Sequence, residues 1–139
     1  QGVDFVLRIL ELMKGGEIFV PRIPSFRILD LAKAIAPEAR VEAVGIRPGE
    51  KLHEVLVPEE ESRLTREYED FYVIQPAFAW WSGSDPGQPP EGKPCPDGFC
   101  YRSDSNSRWY GVAELRRLAT EAQQAEREGD RAAVRAPGD

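Results

Sequence analysis

The sequence predicts a small α/β domain organised around one strand–helix–strand unit. Residues 17–46 read in succession as a short apolar strand, an amphipathic helix and a second apolar strand. That order is typical of a parallel crossover unit, which is right-handed in nearly all proteins. Ligands of such units bind beyond the carboxyl ends of the strands. We therefore expect a binding site just after the second strand, whose last residue is Ile46.

Two short elements open the chain. Apolar residues at helical spacing predict a core-packing helix over residues 2–14, which Gly15 and Gly16 end. Residues 17–20 predict a strand that ends at Pro21.

The crossover helix is predicted over residues 27–35. Asp30 falls in its first turn, where the positive end of the helix dipole favours a carboxylate. Pro37 ends the helix, and the apolar run 41–46 then predicts the second strand.

The middle of the chain predicts a hairpin followed by a long loop. Residues 52–57 fit a helical face but are too few to decide between helix and strand. Residues 63–68 and 71–75 have the composition of two hairpin arms. Residues 76–98 are rich in Pro, Gly and Trp, and their aromatic side chains either anchor the loop or form a sugar-stacking platform.

A last helix is predicted after Gly111, which acts as its cap with Glu114 three residues on. Beyond Thr120 the apolar spacing fades into charged and Ala-rich sequence. We therefore expect one lobe over residues 1–120, followed by a frayed helix end and disordered tail over residues 121–139.

Composition narrows the class of protein. A net charge of −6 and a pI near 4.9 argue against a general nucleic-acid binder. No apolar run approaches the ~20 residues of a membrane span and no basic-then-apolar leader pattern is found, so we expect neither a membrane span nor a signal peptide. Cys95 and Cys100 lack further metal ligands, which favours unpaired thiols in a reducing cytoplasm. A start at Gln1 is typical of an excised piece.

The stretch 41–54, VEAVGIRPGEKLHE, places chemically capable side chains beside a tight turn. Pro48 fixes its own φ and Gly49 permits positive φ, so Arg47 to Glu50 should form a turn. Arg47 would project from a rigid corner as a five-donor fork suited to phosphate or carboxylate. The charged or titratable residues that follow are Lys51, His53 and Glu54.

The motifs of common reaction centres are missing from this sequence. His53-Glu54 lacks the second histidine that a metalloprotease helix needs. Neither a Gly-rich dinucleotide loop, a P-loop, a Tyr-x-x-x-Lys pair nor a nucleophile elbow is present. The residues alone therefore describe a binding lobe without reaction machinery.

Four segments resemble the C-terminal part of the inverting UDP-N-acetylglucosamine 4,6-dehydratases, members of the extended short-chain dehydrogenase/reductase group on the route to pseudaminic acid. They are GVDFVLRILELMKGGEIFVPRIPSFRILDLAKAI, VGIRPGEKLHEVL, FYVIQP and FCYRSDSNSRW. The resemblance implies an NADP-dependent lyase that oxidises the sugar at C4, eliminates water across C5 and C6 and returns the hydride to C6. It also implies that the catalytic Asp, Lys and Tyr belong to an N-terminal Rossmann domain that is absent here.

The same resemblance implies roles for the turn. Arg47 falls at the position that binds the nucleotide diphosphate, and Glu50 at that of a nearby acid that contacts substrate. Lys51 and His53 match the motif and are secondary candidates. The full-length enzyme is expected to be a cytoplasmic homo-oligomer, whereas this chain alone is expected to bind no NADP and to be inactive.

Alternatives remain open on the sequence. Arg47 could instead form a turn-stabilising ion pair with Glu50 or Glu54. The chain could be a free-standing, non-catalytic module that binds a partner through its Trp-rich loop. It could also be the same lobe of a related nucleotide-sugar epimerase or dehydratase, because these share the turn.

Overall fold

The computed structural model describes residues 2–78 and 91–135, with side chains described up to residue 125. The helices are α1 (Gly2–Leu12), α2 (Ile28–Ile35) and α3 (Val112–Arg135), and a 3-10 helix spans Glu59–Leu64. The strands are β1 (Ile18–Pro21), β2 (Val55–Val57), β3 (Thr65–Glu67), β4 (Phe71–Ile74), β5 (Lys93–Pro94) and β6 (Tyr101–Arg102).

The strands form two small antiparallel sheets. The larger sheet has the order β1-β4-β3-β5, and the smaller one pairs β2 with β6. In the larger sheet Phe19 lies opposite Val73, and Arg66 lies opposite the same residue from the other side. The predicted hairpin is therefore confirmed as β3 and β4, and the undecided run 52–57 ends in strand β2.

The chain divides into two compact units. Unit 1 contains Gln1–Ile23 and Leu52–Asn106, and unit 2 contains Pro24–Lys51 and Ser107–Asp139. Unit 1 holds both sheets and the main cluster of buried side chains. The members of that cluster are Val20, Val57, Tyr72, Ile74, Cys95 and Tyr101, with Leu64 and Phe99 packed against them.

The predicted strand–helix–strand crossover is wrong. Residues 41–47 form no strand, and β1 pairs antiparallel with β4 instead. Gly45 has a φ of +84°, which breaks the extended path of a strand. Val44 is 80% exposed, so apolar composition alone made this run resemble a buried strand. The fold remains a mixture of helices and sheet, but its sheets are antiparallel.

Unit 2 is built on the packing of α2 against α3. Among the side chains that the structure describes in this unit, the buried apolar ones are Ala34 and Leu115. Arg116 Nε donates to the carbonyl of Ala34 at 3.5 Å. The predicted cap is confirmed, because the N–H of Gly111 donates to Oε2 of Glu114 at 3.1 Å.

Helix α3 extends further than the apolar spacing suggested. It runs to Arg135, fifteen residues past Thr120. Ala, Glu, Gln and Arg have high intrinsic helix propensity, so this sequence stays helical after its apolar stripe fades. Among the described residues, no helix is both long and apolar enough to cross a bilayer.

Candidate functional site

The four residues Arg47 to Glu50 form the tight turn that the sequence predicted. The N–H of Glu50 donates to the carbonyl of Arg47 at 3.1 Å, which closes the turn. Gly49 has a φ of +86°, the left-handed conformation that glycine adopts without strain. Pro48 sets the preceding φ. The turn therefore follows directly from the Pro-Gly pair.

The Glu50 carboxylate accepts a second hydrogen bond that stabilises the turn. Its Oε2 accepts the main-chain N–H of Arg47 at 2.8 Å. Its Oε1 lies 4.0 Å from Nε of Arg47, at the outer limit of an ion pair. The acid therefore binds the backbone of Arg47 more closely than the guanidinium.

The Arg47 side chain extends into solvent from this corner. It is 80% exposed, and the Glu50 side chain is 50% exposed. An exposed ion pair contributes only about 0.2–1 kcal/mol, so this contact holds the guanidinium weakly. The turn-stabilising ion pair considered from the sequence is present, and it leaves most of the guanidinium surface accessible to a ligand.

The two secondary candidates lie in different units. Lys51 is exposed and belongs to unit 2 with Arg47, whereas His53 belongs to unit 1. The ring of His53 contacts two residues of the β6 region. Its Nε2 lies 2.7 Å from a terminal nitrogen of Arg102, and its Nδ1 lies 3.6 Å from Oδ2 of Asp104.

Arg102 and Asp104 form a bidentate pair beside this histidine. Nε and Nη2 of Arg102 donate to the two carboxylate oxygens of Asp104 at 2.9 and 2.8 Å. These hydrogen bonds lower the pKa of Asp104 and raise the pKa of Arg102. Sequence reasoning missed both residues, because the pairing of β2 with β6 brings them to His53 and that pairing gives little signal in the sequence.

The structure describes only part of the predicted aromatic loop. Phe78 is exposed, and Trp80 and Trp81 lie outside the described residues. The structure leaves Cys95 and Cys100 as free thiols, the first buried and the second half-buried. Burial raises the pKa of the Cys95 thiol.

Known proteins resemble this chain over most of its length. The sequence profile of the family described as "Polysaccharide biosynthesis protein" matches residues 1–76. The enzymes named UDP-N-acetylglucosamine 4,6-dehydratase (inverting) from two Campylobacter jejuni strains are 44% and 43% identical over 121 residues. The X-ray structure of Pen from Bacillus thuringiensis matches with a TM-score of 0.64 at 29% identity.

These proteins are all longer than the present chain. Each Campylobacter alignment covers 83% of this chain and 36% of the relative. The alignment with Pen covers 84% of this chain and 33% of that one. The chain thus spans about a third of the length of the curated relatives it matches.

Proposed function

The chain belongs to the polysaccharide biosynthesis protein family, and we propose that it is the UDP-sugar-binding part of an inverting UDP-N-acetylglucosamine 4,6-dehydratase. The resemblance read from the sequence motifs is confirmed by the dehydratases that it matches. The observation that carries the proposal is the exposed guanidinium of Arg47 on a turn closed twice by Glu50.

Arg47 is the residue proposed to grip the diphosphate. A guanidinium presents parallel N–H donors that match two phosphate oxygens. A hydrogen bond to a charged group contributes about 1.5–3 kcal/mol, more than the 0.2–1 kcal/mol of an exposed ion pair. A diphosphate therefore competes successfully with Oε1 of Glu50, which lies 4.0 Å away.

The other residues of the turn have supporting roles in this proposal. Glu50 keeps Oε2 on the N–H of Arg47, so the turn stays closed while the guanidinium moves onto the phosphates. The free lone pairs of its carboxylate can then accept a hydroxyl of the sugar nucleotide. Lys51 is exposed two residues after Gly49 and adds a second cation near the diphosphate.

The described residues do not fit the dinucleotide that the family reaction implies. A dinucleotide site needs a glycine-rich turn between a strand and a helix N-terminus. The connection from β1 to α2 contains Pro24 and no glycine, and Arg27 directly precedes α2. We assign NADP and the catalytic Asp, Lys and Tyr to a separate Rossmann domain of the full-length protein.

The outer face of α1 suits a partner domain of that kind. Its apolar side chains follow helical spacing and are 57–72% exposed. They are Val3, Val6, Leu7 and Leu10. Such a stripe on a helix is normally buried against another element, which supports a full-length protein in which this lobe packs on a Rossmann domain. The resemblance to the dehydratases further implies that the full-length protein forms a homo-oligomer.

The proposed setting is the cytoplasm, on a route to pseudaminic acid. Free thiols at Cys95 and Cys100 are typical of proteins in reducing compartments. No membrane or nucleic-acid partner is part of the proposal.

The direct experiment compares the full-length protein with this 139-residue chain. Each is incubated with UDP-N-acetylglucosamine and NADP, and the products are identified by mass spectrometry and ¹H NMR, because a C4 epimer has the same mass as the substrate. We expect the 4-keto-6-deoxy product from the full-length protein and none from the chain alone. Turnover by the isolated chain would contradict the assignment of catalysis to a separate Rossmann domain. A C4-epimerised sugar would assign the lobe to an epimerase.

A further inference from the structure

We infer that His53 is a positioning residue, held in its Nδ1–H tautomer by Arg102 and Asp104, which anchors the chain where it leaves the Arg47–Glu50 turn. The tautomer follows from contacts within unit 1. The expected effect on UDP-sugar binding additionally rests on the function proposed above.

The contact with Arg102 determines where the histidine proton lies. A terminal nitrogen of Arg102 lies 2.7 Å from Nε2 of His53. A guanidinium is a donor only and stays protonated in proteins. Nε2 must therefore accept this hydrogen bond, and the proton of the neutral ring lies on Nδ1.

Asp104 lies close to both Arg102 and His53. Its two carboxylate oxygens hold Arg102 at 2.9 and 2.8 Å, so the guanidinium that donates to His53 cannot turn away freely. Oδ2 of Asp104 also lies 3.6 Å from Nδ1 of His53, on the side that carries the proton. The lowered pKa of Asp104 keeps this carboxylate charged at neutral pH.

Two hydrogen bonds between Glu54 and Ser103 lie beside this contact. The N–H of Ser103 donates to the carbonyl of Glu54 at 2.9 Å, and the N–H of Glu54 donates to Oγ of Ser103 at 2.9 Å. Val55 of β2 is paired with Arg102 of β6. His53 thus lies two residues before β2, a strand whose main chain is paired with β6.

These contacts give His53 a positioning role and exclude a role as a general base. Its one lone pair is engaged by Arg102, which removes the nitrogen that a general base would use. Only Lys51 and Leu52 separate it in sequence from Glu50. Fixing His53 therefore restricts the segment that follows the turn, which reduces the ordering that a bound diphosphate would otherwise require.

The tautomer is tested on the 139-residue chain by two-dimensional ¹H–¹⁵N NMR of its single imidazole at neutral pH. We expect Nε2 at the shift of an unprotonated ring nitrogen and Nδ1 at that of a protonated one. In Arg102→Met the ring should return to the Nε2–H form that free histidine favours, whereas Arg63→Met should not alter it. An Nε2–H form in the unaltered chain would overturn the inference.

The positioning role is tested in the full-length protein by steady-state kinetics. In His53→Gln the side-chain oxygen can replace Nε2 as the acceptor for Arg102, so KM for UDP-N-acetylglucosamine should stay within about twofold. His53→Leu should raise KM roughly 3- to 10-fold with kcat little changed. This is less than the loss of a direct hydrogen bond to a charged substrate group, because His53 acts on the substrate only through the turn.

Two outcomes would contradict that role. Equal KM values in the Gln and Leu variants would show that the hydrogen bond does not matter, and a large loss of kcat in both would make His53 catalytic. The KM of Arg47→Ala, measured in the same experiment, distinguishes failure of the diphosphate assignment from failure of the inference about His53. If this substitution leaves KM unchanged, the diphosphate assignment fails while the tautomer result stands.

Discussion

Glu50 holds Arg47 by its main chain and not by its charge. Oε2 of Glu50 accepts the Arg47 N–H at 2.8 Å, whereas Oε1 stays 4.0 Å from the guanidinium Nε. The same residue thereby fixes the corner and leaves the cation accessible. A corner of this kind can bind an anion without first losing a strong internal ion pair.

Substitution of Glu50 tests this relationship. In Glu50→Gln the amide oxygen can still accept the N–H of Arg47, so the turn should persist. In Glu50→Ala that acceptor is lost, which costs about 0.5–1.5 kcal/mol locally. Hydrogen exchange of the Arg47 amide should accelerate roughly 2- to 10-fold in the Ala variant and change little in the Gln variant. Equal exchange in both variants would show that the side-chain bond does not form.

The Arg102–Asp104 pair predicts a loss of stability in acid. Asp104 has a pKa below its ordinary 3.8 because Arg102 donates to it. The carboxylate of Asp104 contributes fully to the free energy of unfolding above its pKa in the unfolded chain. This contribution disappears as the pH falls through its lower pKa in the folded protein. The urea midpoint should therefore fall below about pH 5, and less steeply in Asp104→Asn. The control Asp97→Asn, at an exposed carboxylate, should keep the original slope.

The core of unit 1 should depend strongly on Val57. This side chain is fully buried and belongs to the hydrophobic cluster of unit 1. Val57→Ala should lower the free energy of unfolding by about 2 kcal/mol, through lost burial and the cavity left behind. Val44→Ala, at an exposed position, should change it by less than about 0.5 kcal/mol. Similar losses in denaturant titrations of both variants would contradict this core.

The two cysteines should differ in reactivity. Cys95 is buried and its pKa is raised by that burial, so little thiolate is available to react. Cys100 is half-buried. Iodoacetamide at neutral pH should modify Cys100 first, as read by peptide mass spectrometry, and Cys95 should follow only in denaturant. Earlier modification of Cys95 would show that its surroundings open readily.

The sequence predicted local features better than strand pairing. The Pro48-Gly49 turn, the Gly111 cap and the β3–β4 hairpin depend on a few adjacent residues, and each is present. The run 41–46 is apolar, but strand formation also requires a neighbouring strand and an unkinked backbone. Gly45 has a positive φ that kinks the backbone of this run, and the composition alone did not reveal that kink.

The candidate site was predicted unevenly for a similar reason. Arg47 and Glu50 are three residues apart, so their contact could be expected from the turn. The partners of His53 lie 49 and 51 positions along the chain, at Arg102 and Asp104. Only the pairing of β2 with β6 brings them together, and two- and three-residue strands give little signal in a sequence.

Calorimetric titration of the full-length protein with UDP tests most directly whether Arg47 binds the diphosphate. Arg47→Ala should weaken UDP binding at least tenfold, since about 1.5–3 kcal/mol is lost, and should change Tm little. Arg63→Ala is the matched control, because that arginine is equally exposed and pairs with Asp97 at 3.5 Å. Unchanged UDP affinity in Arg47→Ala, or an equal loss in Arg63→Ala, would contradict the claim.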